Sequence, residues 1–214
     1  GLEVILPMNR MISILQKIRA TDFVSMEEIV TGRNPFGIPA NDADLNKEMV
    51  ESQDELHKIR ILCAYEKIQY VSQELITRNS SLCDHWKVFT SKMNGGAGTL
   101  LDGKQVAILG RTFVMGPGSI CSNTLLAVGD FDNQTEAENL NKYMNTKFFR
   151  FMLGIKKIAQ VLTSNIYSFV QNFKNSSDIT WTNSLADIDK QLYAKYALTE
   201  EEIAFIESMI KPME

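Results

Sequence analysis

Arg33, Asn34, Lys87, Lys92, Asn94 and Arg111 are of the side-chain types that pair with guanine and adenine edges or with phosphate oxygens. The pattern sets them on loops beside a basic helix, and Phe36 and Phe149 are candidates to wedge between bases or stack on them. Each has a plainer reading, as a solvated surface residue or a local turn former, so the argument rests on the collection. The basic helix is the run from Thr135 to Leu162. At about 100° per residue, Leu140, Met144, Phe148, Phe151, Met152, Ile155, Ile158 and Leu162 form one core stripe. Lys142, Arg150, Lys156 and Lys157 gather opposite, with Lys147 on the flank and no acid between Lys142 and Lys157. Lys142, Lys147, Arg150 and Lys157 are therefore candidate phosphate contacts, displacing counterions from a nucleic-acid backbone. Phe149 and Leu153 lie on the same side, which leaves open a solvated face whose apolar residues pack on a neighbouring element.

Catalytic patterns fail one by one. Arg33-Asn34-Pro35-Phe36 invites comparison with the Asn/Asp-Pro-Pro-Tyr/Phe motif that binds the target amine in amino-methyltransferases, but the second proline and the preceding strand are missing. Gly116-Pro117-Gly118-Ser119-Ile120-Cys121 departs from a dinucleotide fingerprint after its second glycine, and a strand follows rather than a helix. Cys83-Asp84-His85 groups three metal-ligand types without paired spacing, and His57 is the only other histidine. No serine sits in a nucleophile elbow, and neither a phosphate loop nor an acidic cluster suited to a magnesium-dependent nuclease is present. The sequence is expected to be non-catalytic, with no bound metal or cofactor.

A length of 214 residues suits one domain or one domain with a small appendage. The net charge of -4 makes the basic helix stand apart from its background. No apolar run reaches transmembrane length, no signal peptide heads the chain, and three scattered cysteines, Cys63, Cys83 and Cys121, argue against a disulfide framework. A soluble cytoplasmic protein with no membrane partner is expected. The chain opens on Gly1-Leu2-Glu3 rather than on methionine, so it is read as a fragment of a larger protein.

The elements that must position these residues follow from periodicity and turn signals. Residues 2–6 read as a short strand and Met8 to Arg19 as a helix, followed by a brief helix opened by a capping box at Ser25 and Glu28. Residues 40–53 read as a dispensable acidic loop. Strands are expected at Ile59–Tyr65, Lys67–Val71, Trp86–Phe89, Val106–Leu109, Arg111–Met115 and Ser119–Val128, with a short helix at Ser72–Thr77 and a glycine-rich loop at Ser91–Gly98. The long helix opens with a capping box at Thr135 and Glu138; Tyr167–Val170 reads as extended. Terminal helices are expected at Ser184–Tyr196 and Thr199–Ile210, the latter capped by Thr199 and Glu202. The fold class is α+β: a curled mixed sheet with a long basic amphipathic helix and short terminal helices. Its expected parts are 1–32, leading from a missing catalytic region; 33–134, the β-rich recognition region; 135–166, the long helix; and 167–214, docking helices.

Several segments together carry a family resemblance. They are Arg33-Asn34-Pro35-Phe36-Gly37, Trp86-Lys87-Val88, Lys92-Met93-Asn94-Gly95, Gly116 to Thr124, Glu136 to Leu140, Tyr143 to Phe151, Trp181-Thr182 and Tyr193 to Ile203. From residue 30 onward the chain resembles the C-terminal region of adenine-specific DNA methyltransferases of bacterial restriction–modification systems, including enzymes that fuse methyltransferase and nuclease. The run Thr146-Lys147-Phe148-Phe149-Arg150-Phe151 and the tail are its most specific parts. In that family the region is the target recognition domain, similar to those of Type I specificity subunits. The resemblance implies double-stranded DNA as partner, together with the methyltransferase part, and in fused members a nuclease part, of the same polypeptide. It also implies a parent enzyme that uses S-adenosylmethionine, with the cofactor fingerprint upstream of Gly1. Methylating enzymes flip their target base out of the stack, so one loop here would fill the gap. Two other readings stay open: a structural or subunit-contact module, and a fragment with nuclease activity.

Overall fold

In the computed structural model, the structure describes residues 2–40, 42–92, 100–101, 104–105, 108–156, 162–173 and 178–210. The chain combines helices with small mixed and antiparallel sheets, so the fold is α+β. Two three-stranded sheets form the centre. In the first, β1 (Ile59–Leu62) pairs antiparallel with β2 (Ile68–Val71) and parallel with β7 (Ser119–Cys121). In the second, β3 (Trp86–Ser91) lies antiparallel between β6 (Thr112–Met115) and β8 (Leu125–Phe131). A small hairpin, β4 (Leu100–Leu101) and β5 (Lys104–Gln105), lies in the connection from β3 to β6.

Alternation along the second sheet divides the interior in two. Val88, Val114, Leu126 and Val128 join the core built with the helices, whereas Phe89, Phe113, Leu125 and Ala127 join Ile61, Val71 and Ile120 of the first sheet. The second sheet is thus covered on both faces, which is why β8 reads as the apolar run Leu125–Val128 instead of alternating. Gly129, at φ +82, turns the strand out of that run.

On the helical side lie α1 (Leu2–Arg19), α4 (Gln134–Asn145), α5 (Lys147–Lys156), α6 (Leu185–Lys195) and α7 (Glu200–Met209). Short helices at α2 (Asp42–Glu48) and α3 (Ser80–Cys83) flank the sheets. Residues 2–6, expected as a strand, belong to α1: a short apolar run has no period of its own, and extending an existing helix costs less than starting another element. Residues 40–53 are not a dispensable loop, because Leu45 is buried in the sheet–sheet core and Val50 exchanges backbone hydrogen bonds with Tyr70, 2.9 Å each way. Of the expected extended piece Tyr167–Val170, Tyr167 to Phe169 lie in a 3-10 helix, Ser164–Phe169, and Val170, which follows it, is extended. The capping box at Thr199 and Glu202 is present. At Thr135 the cap lies two residues earlier, where Asn133 accepts from the Glu136 amide at 3.0 Å.

The largest correction concerns the long helix. It breaks at Thr146, whose ψ of 155° is extended, into α4 and α5. Thr146 Oγ1 accepts from the Phe149 amide at 3.1 Å, and Asp189 of α6 accepts from the amides of Lys147 and Phe148 at 3.0 and 2.9 Å. Two side-chain acceptors therefore cap the new helix. Beyond the break the face pattern is lost: Phe148 through Leu153 are all buried, so α5 runs through the core instead of along its surface.

Candidate nucleic-acid interface and interhelical cleft

Most sequence-selected residues serve the interior. Phe36 is fully buried between the sheets, edge-on to Phe89 with ring centroids 6.2 Å apart, so it cannot wedge into DNA. Its loop is tied down by its neighbours. Asn34, at φ +52, donates from Nδ2 to the Ile38 carbonyl at 2.8 Å, and the amides of Thr77 and Arg78 donate to the Phe36 carbonyl at 3.0 and 3.2 Å.

Lys87 points to the same side of β3 as Phe89, into the sheet–sheet core, and is 0 % exposed. Its ammonium donates to the carbonyls of Cys83, His85 and Gly116 at 3.0, 2.9 and 3.3 Å. Burial pushes its pKa down to about 8. Lys87 is an internal brace joining the end of α3 to the turn before β7, not a groove contact. The strand alternation Lys87-Val88-Phe89 placed it facing a core, but its charge argued for the surface.

The helical cations are also engaged. Arg150 is 5 % exposed and donates from Nε to the Thr146 carbonyl at 3.2 Å; burial lowers its pKa against the pull of Asp189. Lys147 pairs with Glu207, Lys142 donates to the Trp181 carbonyl at 2.8 Å, and Lys156 meets Ser168. Phe149 is fully buried. Of the proposed phosphate-facing side, Phe149 and Arg150 are therefore internal, Lys142 and Lys147 are half-buried, and Lys147 ties α5 to α7. Asn94 and Lys157 lie outside the described residues.

Three candidates keep an outward setting. Arg33 is exposed beside Lys92, where burial and then the charge of Arg33 lower the Lys92 pKa. Lys92 also donates to the Asn123 carbonyl, which fixes it at the end of β3 beside the start of β8. Arg111 precedes β6, and Thr112 pairs with Thr90 across the same end of the sheet. Arg111 is exposed and paired with Glu66. The three cations thus sit around the end of the second sheet from which the β3–β6 connection departs.

A second concave region lies among α5, α6 and α7, a cleft of about 710 Å3. Asp189, in its wall, is 4 % exposed; burial raises its pKa although two amides favour the charged form. Glu207 accepts from Tyr193 Oη at 2.8 Å and from Lys147. Burial opposes its ionisation, yet these bonds outweigh it and hold the carboxyl below its usual range. Sequence reading missed Asp189; the available signal was an acid among the apolar spacing Leu185, Ile188, Leu192 and Tyr193, where a helix expects a core residue.

Cys83, Asp84 and His85 do not build a metal site: Cys83 is buried, and His85 Nδ1 is held on Asp130. Among the described residues no three Cys, His, Asp or Glu side chains converge on one point, and no helix is long and apolar enough to cross a membrane. Compared with protein-family models, with curated proteins and with solved structures, the chain finds no match.

Proposed function

We propose that the chain is a double-stranded DNA recognition module whose contact surface is the end of the β6-β3-β8 sheet, around Arg33, Lys92 and Arg111. The reading rests on one observation: Arg33, Lys92 and Arg111 stand around the same end of the second sheet, a local grouping of cations that an anionic backbone complements. The sequence resemblance agrees with it, and implies a parent adenine-specific methyltransferase that uses S-adenosylmethionine. Compared with the sequence reading, the phosphate contacts move from the helix to the sheet end.

The test is binding to a random duplex pool across a salt series, with sequencing of the retained DNA. Enrichment of a short motif, with affinity falling steeply as salt rises, is the expected result. Absence of retention at about 50 mM salt, where backbone contacts are strong, would sink the reading. The pair Arg33→Glu and Arg111→Glu should abolish retention; unchanged affinity would mean that the surface is misassigned.

A second reading, a structural or subunit-contact module, is favoured by the outer face of α1. Ile12 is 46 % exposed there, in a shallow hollow shared with Leu15 and Phe169. It predicts an association that salt does not weaken.

A further inference from the structure

The outer face of α1 has the spacing of a helix-packing surface. Ile12, Leu15, Gln16, Arg19 and Ala20 line one hollow of about 420 Å3, with Phe169 beside them. They recur at i, i+3, i+4, i+7 and i+8, the stripe that one helix lays against another. The opposite side of α1 is already engaged: Ile14 and Ile18 are buried in the helical core, and Ser13 and Lys17 bond Glu202 of α7. Along the stripe Ile12, Gln16, Arg19 and Ala20 stay exposed.

The charge beside this stripe is unbalanced. Arg19 Cζ lies 5.0 Å and Lys156 Nζ 5.1 Å from the centre of the same Phe169 ring. The acids that α7 turns to α1 and α5, Glu202 and Glu207, are taken by Lys17 and Lys147. Among the described residues no carboxylate pairs with Arg19 or Lys156, not even Asp22, which follows Arg19 by three residues. Lys156 meets Ser168, but the guanidinium fork of Arg19 has no hydrogen-bond acceptor among the described residues. Each cation stands in the last turn of its helix. A helix end offers about half a negative charge, so two ends against two cations leave a surplus of about one positive charge.

We infer that this stripe receives an amphipathic helix of a partner protein, with an apolar side chain seated at Ile12 and Leu15 and one carboxylate at Arg19 and Lys156. Ile12 and Arg19 are about 10 Å apart along the axis, so the partner carries its apolar residue and its acid two turns apart. The inference rests on the contact-module reading and adds the partner's chemistry to it.

The probe is a displayed library of alanine-based helices about 16 residues long, randomised along one face and panned on the whole chain. Retained helices should share an apolar residue with Asp or Glu two turns away. Ile12→Asp and Arg19→Glu should each weaken a retained peptide at least tenfold while leaving the unfolding transition in place. Replacing the peptide's acid by lysine should weaken its binding to the native chain and strengthen its binding to Arg19→Glu. Salt should change the affinity little, because a carboxylate closed against the ring is screened less than an exposed one. Retained helices that lack an acid yet still need Ile12 would overturn the acidic partner and leave the contact-module reading standing. No retention, or retention that ignores Ile12→Asp, would overturn both. Binding to phosphatidylserine vesicles that Arg19→Glu abolishes, or self-association that Ile12→Asp abolishes, would assign the face to a lipid surface or a second copy and overturn the inference.

Discussion

The carboxylate of Asp189 accepts hydrogen bonds from the backbone amides of Lys147 and Phe148 at 3.0 and 2.9 Å, capping α5 from a different helix. The same buried acid faces the Arg150 charge. Asp189→Ala therefore leaves two amides without their acceptor and a buried cation without its opposite charge. The expected loss is about 3 kcal/mol in denaturant unfolding, the scale of breaking a buried charged contact. Asp189→Asn keeps one carbonyl acceptor and should lose less. Equal losses for the two variants would mean that charge and capping are not what the carboxylate contributes.

Lys87 makes stability depend on alkaline pH. Its folded pKa is about 8 against 10.5 for a free lysine, because burial disfavours the ammonium. Between these values the unfolded chain holds more protons than the folded one, so stability rises as pH rises across the window. The upper limit of the gain is about 3 kcal/mol, from 1.36 kcal/mol per unit. Denaturant titrations at pH 7, 8, 9 and 10 should display the rise in the native chain and a flatter profile in Lys87→Met.

Glu202 acts at the acid end. It accepts from Ser13 Oγ, Lys17 Nζ and the Thr199 amide at 2.7, 2.6 and 2.8 Å, which joins α1 to α7. Burial raises its pKa, but these bonds outweigh burial and lower it below 4.5. A depressed folded pKa contributes stability above the unfolded value, lost as pH falls through the folded one. Acid titration of Glu202→Gln should therefore have a shallower fall below pH 4.5 than the native chain. Superimposable acid limbs would remove Glu202 from the account.

Two glycines with positive φ separate strain from crowding. Gly118, at φ +70, has open space where a Cβ would stand; Gly129, at φ +82, would place one 2.1 Å from Phe131 Cε2. Gly118→Ala should cost about 1–2 kcal/mol, the left-handed penalty alone. Gly129→Ala should cost clearly more, and thermal unfolding of the pair measures the difference. The reverse order would contradict the packing of β8 against α4.

For DNA, Arg33→Ala should reduce the slope of log affinity against log salt by about one, the signature of one lost phosphate contact. Lys142→Ala should leave it unchanged, because Lys142 is turned to the Trp181 carbonyl. A change in slope for Lys142 alone would return the interface to the helix.

Periodicity and turn signals were enough to find most strands of both sheets and the two terminal helices, since each has a local cause. Ile59–Leu62, Ile68–Val71 and Trp86–Ser91 are apolar runs between turns, and Thr199 with Glu202 is a self-contained cap. What was not legible depends on partners far along the chain. The break at Thr146 is held by Asp189, 43 residues on, so a helical wheel drawn from Thr135 to Leu162 joined two axes and placed Arg150 on a surface that does not exist. Lys87 was misjudged for a related reason: its acceptors are backbone carbonyls, which any sequence supplies and no motif announces. Arg33 and Arg111 are exposed, as loop cations are expected to be, while their arrangement around one sheet end depends on strand pairing.

The enclosure of Lys87 also makes it an internal clock. An amine with no contact with solvent is out of reach of acylating reagents, so its modification must wait for the two sheets to part. The exposed lysines will label at once, and the slow labelling of Lys87 by mass spectrometry will then time the opening of the chain's own centre.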